Sequence, residues 1–386
     1  MKTQKEIDDF IKNNYHLSYP VLADKTGLSK GKVKDIYRRL KLPPKTINKK
    51  KLTEEQIQED IKSYFSKVEK ISTDKKYKFL IAKNEKLTKD LDAALEIKHN
   101  IHPHEIVQKV ITGNTEATAV VLASDWHIEE RVISERVNGL NEYSIPIARQ
   151  RCYEFFQNTL RLVEKERHAV KIDTLVLALL GDFISGNIHD ELLENCSLQP
   201  IDAMIEAQNI IVSGIEFLLK NSDLKLVIPC HVGNHPRITK KVHISTENGN
   251  NLETFMYHSM KNYFKDNKRV KFLISASYHS YLKIYDFTIR FHHGHQMQYG
   301  GGVGGIFIPA FKAISQWNKA HRADLDCFGH FHNRKDGGNF ILNGSIIGHS
   351  AYAISIKCDY EKPMQTFFLV DKKRGKTMVT PICFKI

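Results

Sequence analysis

The chain has 386 residues, and its 57 Lys and Arg against 44 Asp and Glu leave a formal charge of +13. No run of about 18 apolar residues occurs, which argues against a helical membrane span, and the charged start MKTQKEIDDF has no apolar signal-peptide core behind it. Six scattered cysteines (Cys152, Cys196, Cys230, Cys327, Cys358 and Cys383) form no CxxC pair, which argues against a zinc ribbon or disulfide framework and for free thiols in a reducing cytoplasm.

The charge is uneven. Residues 1–50 hold thirteen Lys and Arg against five Asp and Glu, which points to a polyanionic partner. Three short helices are expected here. The first covers Gln4 to Ile11, with Ile7, Phe10 and Ile11 on one face. Pro20 opens the second, Gly27 supplies a turn of positive φ, and Ser29 caps a third helix ending near Leu40, ahead of Pro43-Pro44. Ala23, Gly27, Ser29, Val33 and Ile36 resemble the helix-turn-helix pattern of DNA-binding proteins. A small residue lets the helices approach, glycine makes the turn, and Val33 and Ile36 anchor the second helix. Ser29, Lys30, Lys32, Lys34, Arg38 and Arg39 then become the candidate nucleic-acid contacts. The bland alternative is a helical module that binds protein or dimerises.

Residues 46–115 are rich in Lys and Glu and read as a helical connector, with Thr53–Gln56 as a capping box and the connector as a route to a homodimer. His102 and His104 read as solvated. Past Ala117 the texture changes. Apolar runs of strand length at Ala117–Ser124, Thr174–Leu180, Leu224–Cys230, Tyr281–Phe291 and Leu325–Phe328 alternate with helical segments at Ile147–Glu166 and Ile201–Leu219. Continuous apolar runs fit strands buried on both faces, as in a layered α/β domain, expected over residues 116–386. The glycine run Tyr299–Gly305 reads as a mobile loop and lacks the Gly-Lys-Ser/Thr of a P-loop.

The polar residues cluster at the ends of the strands. The first is followed by Asp125-Trp126-His127, the second by Gly181-Asp182, the third by Gly233-Asn234-His235, the fourth by His292-His293-Gly294-His295, and the fifth by Gly329-His330-Phe331-His332. Ligand sites in open α/β sheets lie at the carboxyl ends of strands, so five clusters can converge. If each segment were extended, residues two apart would face one way. Asp125 would then join His127, and His330 would join His332. Trp126, between two ligands, would face away and pack. Gly181, Gly233, Gly294 and Gly329 would permit close backbone approach. One DxH or GHxH is weak evidence; five ordered clusters are strong.

This order of motifs, over roughly residues 117–350, resembles the calcineurin-like metallophosphoesterase superfamily, and the whole arrangement looks like phosphoesterases carried by phages or prophages. The resemblance implies an α/β architecture, a layered β-sandwich flanked by helices, with the small all-α domain of residues 1–45 ahead of it. It implies two divalent ions: Asp125, His127 and His332 on one, Asp182 bridging, and Asn234, His293 and His330 on the other. His295 is the alternative to His293, and His292 is expected to point to the opposite face. Oxygen and nitrogen ligands suit Mn²⁺, Fe or Zn²⁺, with Mn²⁺ favoured by the resemblance. His235 would lie beside the substrate phosphate as a proton donor and, with Asp182, is a candidate catalytic residue. Pro236 stands where the family has an acid after Gly-Asn-His. The segment after Asp182 also lacks the Asp-Arg-Gly extension of protein phosphatases. Asn187, His189 and Arg237 are candidate substrate contacts.

Metal site and basic start together lead to the expectation of a nuclease hydrolysing phosphodiesters of DNA, or of RNA. The alternatives are a phosphatase or phosphodiesterase on nucleotides or other small phosphoesters, and a DNA-binding regulator with a non-catalytic metal fold.

Overall fold

The computed structural model describes residues 3–43, 73–99, 115–299 and 304–384. The Thr53–Gln56 capping box, His102, His104 and residues 300–303 of the glycine run lie outside the described residues. The chain divides into two compact units, Met1–Lys109 and Val110–Ile386.

The first unit opens with α1 (Gln4–Asn13), α2 (Tyr19–Thr26) and α3 (Lys30–Arg39). Thr3 and Glu6 form a reciprocal capping box at the start of α1. Gly27 closes α2 at φ 70°, and the Ser29 hydroxyl accepts the amide of Lys32 to begin α3. Ile11, Leu22, Ala23, Val33, Ile36 and Tyr37 are buried together. These positions have the helical spacing that the sequence shows, and the three helices appear within two residues of the expected bounds. The unit also holds α4 (Thr73–His99), whose side chains are exposed throughout residues 78–92.

The second unit is a mixed α/β structure of two packed sheets flanked by helices. In chain order it runs β1 (Glu116–Ala123), α5 (Ile145–Arg167), β2 (Lys171–Leu179), α6 (Asp190–Asn195), α7 (Pro200–Asn221), β3 (Lys225–Cys230), α8 (Leu252–Tyr263) and β4 (Val270–Ile274). There follow β5 (Ser280–Ile284), β6 (Phe287–Phe291), α9 (Phe307–Ala320), β7 (Leu325–Phe328), β8 (Lys335–Asp336), β9 (Phe340–Leu342), α10 (Ala351–Ser355), β10 (Met364–Asp371) and β11 (Gly375–Cys383). One sheet has the order β11-β10-β1-β2-β3-β4 and the other β5-β6-β7-β9-β8. β1 to β4 pair in parallel, while β10 runs antiparallel to β1.

Strand alternation explains the continuous apolar runs. Ala119, Val121 and Ala123 of β1 face a core shared with Phe155 and Phe156 of α5 and Ile211 of α7. Val120 and Leu122 point the other way, into a second core with Ile289, Phe291, Leu325 and Cys327 of the opposing sheet. Both faces of β1 are therefore dry, and burying Val120, Val121 and Leu122 contributes about 1.5–3 kcal/mol each. A third core packs Ala310 and Ile314 of α9 on Phe328, Phe340 and Leu342.

One expected element is corrected. The run Tyr281–Phe291 is two antiparallel strands, Ile284 pairing with Phe287. Tyr285 turns at φ 55°, a conformation its aromatic side chain does not advertise. The β10–β11 hairpin has no counterpart among the expected elements. Asp371 Oδ1 accepts the amides of Lys373 and Arg374 at 2.9 Å, and Gly375 has φ 70°, which is the chemistry of a tight turn. No helix of the described residues is long and apolar enough to cross a membrane.

Candidate metal centre

The loops that leave β1, β2, β3, β6 and β7 bring the expected residues together. Three groups form, each with its ligand atoms within 4.8 Å of one another: Asp125, His127 and His332; His127, Asp182 and His235; and Asp182, His293 and His330. Asp182 and His127 each belong to two groups. The Asp182 carboxylate is 1% exposed, with Oδ2 2.9 Å from His293 Nε2 and Oδ1 accepting the amide of His235 at 2.8 Å. Asn234 follows Gly233, whose backbone lies against that carboxylate; a Cβ on Gly233 would sit 2.0 Å from Asp182 Oδ1. A Cβ on Gly329 would sit 2.3 Å from Asp125 Oδ2. Glycine is required at both places because no side chain fits.

The backbone reaches this arrangement in a way the sequence does not convey. Asp125, His127, Asp182, His330 and His332 have φ of 55°, 46°, 56°, 71° and 53°. The segments are not extended, so the two-apart argument for Asp125 with His127 and His330 with His332 fails. Left-handed residues other than glycine cost on the order of 1–3 kcal/mol each and persist where surroundings over-determine them. Here they do. The amides of Asp125, Trp126, His127 and Ile128 donate to carbonyls of Gly181, Asp182, Asp182 and Phe183 at 2.9–3.2 Å. The His330 amide donates to Asp125 Oδ1 at 2.9 Å. Trp126 turns into the core, edge-on to Phe155, Phe156 and Phe183.

Three of the imidazoles are oriented from behind. His293 Nδ1 donates to the Leu180 carbonyl at 2.7 Å, and His235 Nδ1 to that of Ser185 at 2.9 Å. His127 Nδ1 lies 2.9 Å from the Ser185 hydroxyl, which donates to Glu130 Oε2 at 2.9 Å. With Nδ1 engaged, Nε2 is left for the centre. Burial, and then the neighbouring His235 and His332, hold His127 well below the ordinary histidine range; burial and His293 do the same to His330. Burial alone would depress His293, but Asp182 lifts it to about 10. Burial alone would raise Asp182, and His293 and His235 instead hold it well below the usual carboxylate range.

The four histidines near Gly294 separate by environment. His293 enters the cluster. His292 is buried on the opposite face, stacked on Phe328 with ring centroids 4.9 Å apart and 3.5 Å from Asp326. His295 pairs with Glu247 at 2.9 Å and belongs to none of the three groups. His330 sits across from His293, ring centroids 5.2 Å apart. Of the candidate substrate contacts, Asn187 and His189 are at the surface, and the His189 ring is 6.2 Å from that of His235. Arg237 is turned inward: its guanidinium donates to the carbonyls of Asn234, Thr239 and Lys240 and braces its own loop.

Three acids carry no mark in the sequence that singles them out as part of the centre. Glu129 Oε1 accepts the amides of Ser185 and Gly186, Glu130 takes the Ser185 hydroxyl, and Glu253 takes the amides of Phe183 and Gly233. Burial raises Glu129 to about 7 and Glu253 to about 8. The available signal for Glu129 and Glu130 is their place directly after the first cluster. Glu253 gives none, because an acid in the first turn of a helix is ordinarily solvated.

No family model and no curated protein matches this chain. Among solved structures, an archaeal phosphodiesterase aligns over 69% of this chain and 99% of its own, at 13% identity and a TM-score of 0.31. Vps29 of Entamoeba histolytica complexed with zinc aligns over 69% and 99%, at 13% identity and 0.25. A conserved protein of Streptococcus pneumoniae, described as a predicted phosphoesterase, aligns over 69% and 98%, at 10% identity and 0.25. These likenesses are distant, and the centre is read from its own residues.

Proposed function

We propose that this chain is a two-metal phosphoester hydrolase that acts on nucleic-acid phosphodiesters. The observation that carries the reading is a buried carboxylate, Asp182, shared by two groups of imidazole and carboxylate ligands. The donor set fits a pair of cations. Asn234 Oδ1 is buried without a hydrogen-bond partner among the described residues, and Asp182 Oδ2 and His293 Nε2, 2.9 Å apart, have only each other. His127 Nε2 and His332 Nε2 face each other at 3.1 Å, a contact that a shared cation resolves.

In this reading Asp125, His127 and His332 would hold one ion and Asn234, His293 and His330 the other, with Asp182 available to both. Oxygen and imidazole ligands without a thiolate suit Mn²⁺, Fe or Zn²⁺. Two such ions, when bound, supply a nucleophile from water near neutral pH and neutralise charge on the phosphoryl oxygens. The chain's own residues do the rest. His235, held through Nδ1, presents Nε2 to pass a proton to the leaving oxygen. Asn187 and His189 take the flanking parts of the substrate.

The nucleic-acid half rests on α3. Lys30, Lys34 and Arg38 are exposed and four residues apart, so they form one stripe. Lys32 and Arg39 flank it; Arg39 is bonded to Asp8 at 2.6 Å, and the Ser29 hydroxyl serves as the helix cap. Replacing Lys30, Lys34 and Arg38 together by Gln should weaken duplex DNA binding uniformly across sequences. The slope of log K against log salt should drop by about 1 for each phosphate that is no longer neutralised. An unchanged slope in fluorescence anisotropy would remove the stripe from the DNA interface.

The activity test uses the whole chain with Mn²⁺ on plasmid, linear duplex, single-stranded DNA and RNA, beside bis-p-nitrophenyl phosphate. The expected result is hydrolysis of the small diester and of at least one nucleic acid. Attack on the small diester alone overturns the nucleic-acid half. No hydrolysis of anything with Mn²⁺, Fe²⁺ or Zn²⁺ overturns the whole.

A further inference from the structure

Glu253 lies in the first turn of α8, is 0% exposed, and reaches two loops that are far apart in sequence. Oε1 accepts the Phe183 amide at 2.8 Å and Oε2 the Gly233 amide at 2.7 Å. Each amide is one residue from a proposed ligand, Asp182 in one loop and Asn234 in the other. Asn251 completes the grip. Its Nδ2 donates to the Gly233 carbonyl at 2.7 Å, and its Oδ1 accepts the Glu253 amide at 3.0 Å. Gly233 is thus held at both its N–H and its C=O, and it is the residue pressed against the Asp182 carboxylate.

We infer that Glu253 is a positioning residue that sets Asp182 against Asn234 and so shapes the pocket for the second cation. The inference rests on the two-metal reading above. Two backbone N–H donors, one on each oxygen, favour the ionised form, and the ionised carboxylate suits the task because it is acceptor-only, with two oxygens for two amide donors. A glutamine of the same shape offers one oxygen and one NH₂, and the NH₂ would face an N–H. One of the two loops must then lose its hold. A carboxylate shorter by one methylene keeps the charge but cannot span both amides without movement.

The test titrates Mn²⁺ into wild type, Glu253→Gln and Glu253→Asp by calorimetry, with melting temperatures alongside. Wild type is expected to take up two ions. In Glu253→Gln the weaker ion should lose about 10–100-fold in affinity, the range seen when partners behind metal ligands are removed. Glu253→Asp should lose less. With bis-p-nitrophenyl phosphate, kcat should fall at low Mn²⁺ and recover at high Mn²⁺, while KM stays near that of wild type. A residue that only stabilises the fold would lower the melting temperature, leave the Mn²⁺ affinities alone, and show no recovery with added metal. That result in either variant overturns the inference, and so does unchanged Mn²⁺ binding in both. Wild type that binds no Mn²⁺ overturns the two-metal reading, and this inference with it.

Discussion

Asp182→Asn is expected to lower kcat/KM on bis-p-nitrophenyl phosphate by at least about a thousandfold, equivalent to ~4 kcal/mol of transition-state stabilisation, and to remove high-affinity Mn²⁺ uptake. The substitution keeps the shape of the side chain and removes its charge. Shape matters here because Oδ1 accepts the His235 amide and the residue is wholly enclosed; an amide oxygen can keep that bond. What is lost is the negative charge shared by two groups of ligands. The effect should therefore exceed that of removing any ligand confined to one group, such as Asp125 or His330. Calorimetric titration with Mn²⁺ and steady-state kinetics check both halves, and circular dichroism should show an intact fold. Activity within tenfold of wild type would refute the assignment of Asp182 as the shared ligand.

The second large effect comes from adding one methyl group. Gly233→Ala places a Cβ 2.0 Å from Asp182 Oδ1 and 2.3 Å from the Asp182 backbone nitrogen. Side-chain rotation can relieve the first contact but not the second, so the loops after β2 and β3 must part. Overpacking of this kind costs about 1–3 kcal/mol of stability, and misplacing reacting groups by about 1 Å costs on the order of a hundredfold in rate. The expected variant is folded, with a lower melting temperature and kcat down by about that factor. Gly249→Ala is the control, since nothing lies within 4 Å of its added Cβ. Equal kinetics for the two variants would show that the close approach of the two loops is unimportant.

The parts of this fold that are legible in the sequence share one property: their signal is local. The runs 119–123 in β1 and 175–180 leaving β2 are dry on both faces, so each is continuously apolar, and the polar residue that follows each run marks the strand end. The cap of α3 and the turn at Gly27 are likewise written in single residues. The features that stay hidden depend on distant partners. β10 pairs with β1 across more than 200 residues of chain, and no pattern in Met364–Asp371 names that partner. The β5–β6 turn hides because Tyr285 is apolar in type and left-handed in place. Glu253 reads as an ordinary first-turn acid until the loops after β2 and β3 are laid over it. The choice between His293 and His295 narrows only in three dimensions, where Glu247 engages His295.

The left-handed backbone at Asp125, His127, Asp182, His330 and His332 bears on how this site can drift or be redesigned. At these positions a residue is selected twice, for the atom it presents and for the backbone shape it must tolerate. Asn and Asp adopt that shape more readily than β-branched residues do. Exchanges among Asp, Asn and His therefore leave the backbone undisturbed whatever they cost in metal binding, whereas a step to Val, Ile or Thr meets a conformational penalty before any chemistry is lost. An alanine scan of the site would mix the two losses, and asparagine is the substitution that separates them.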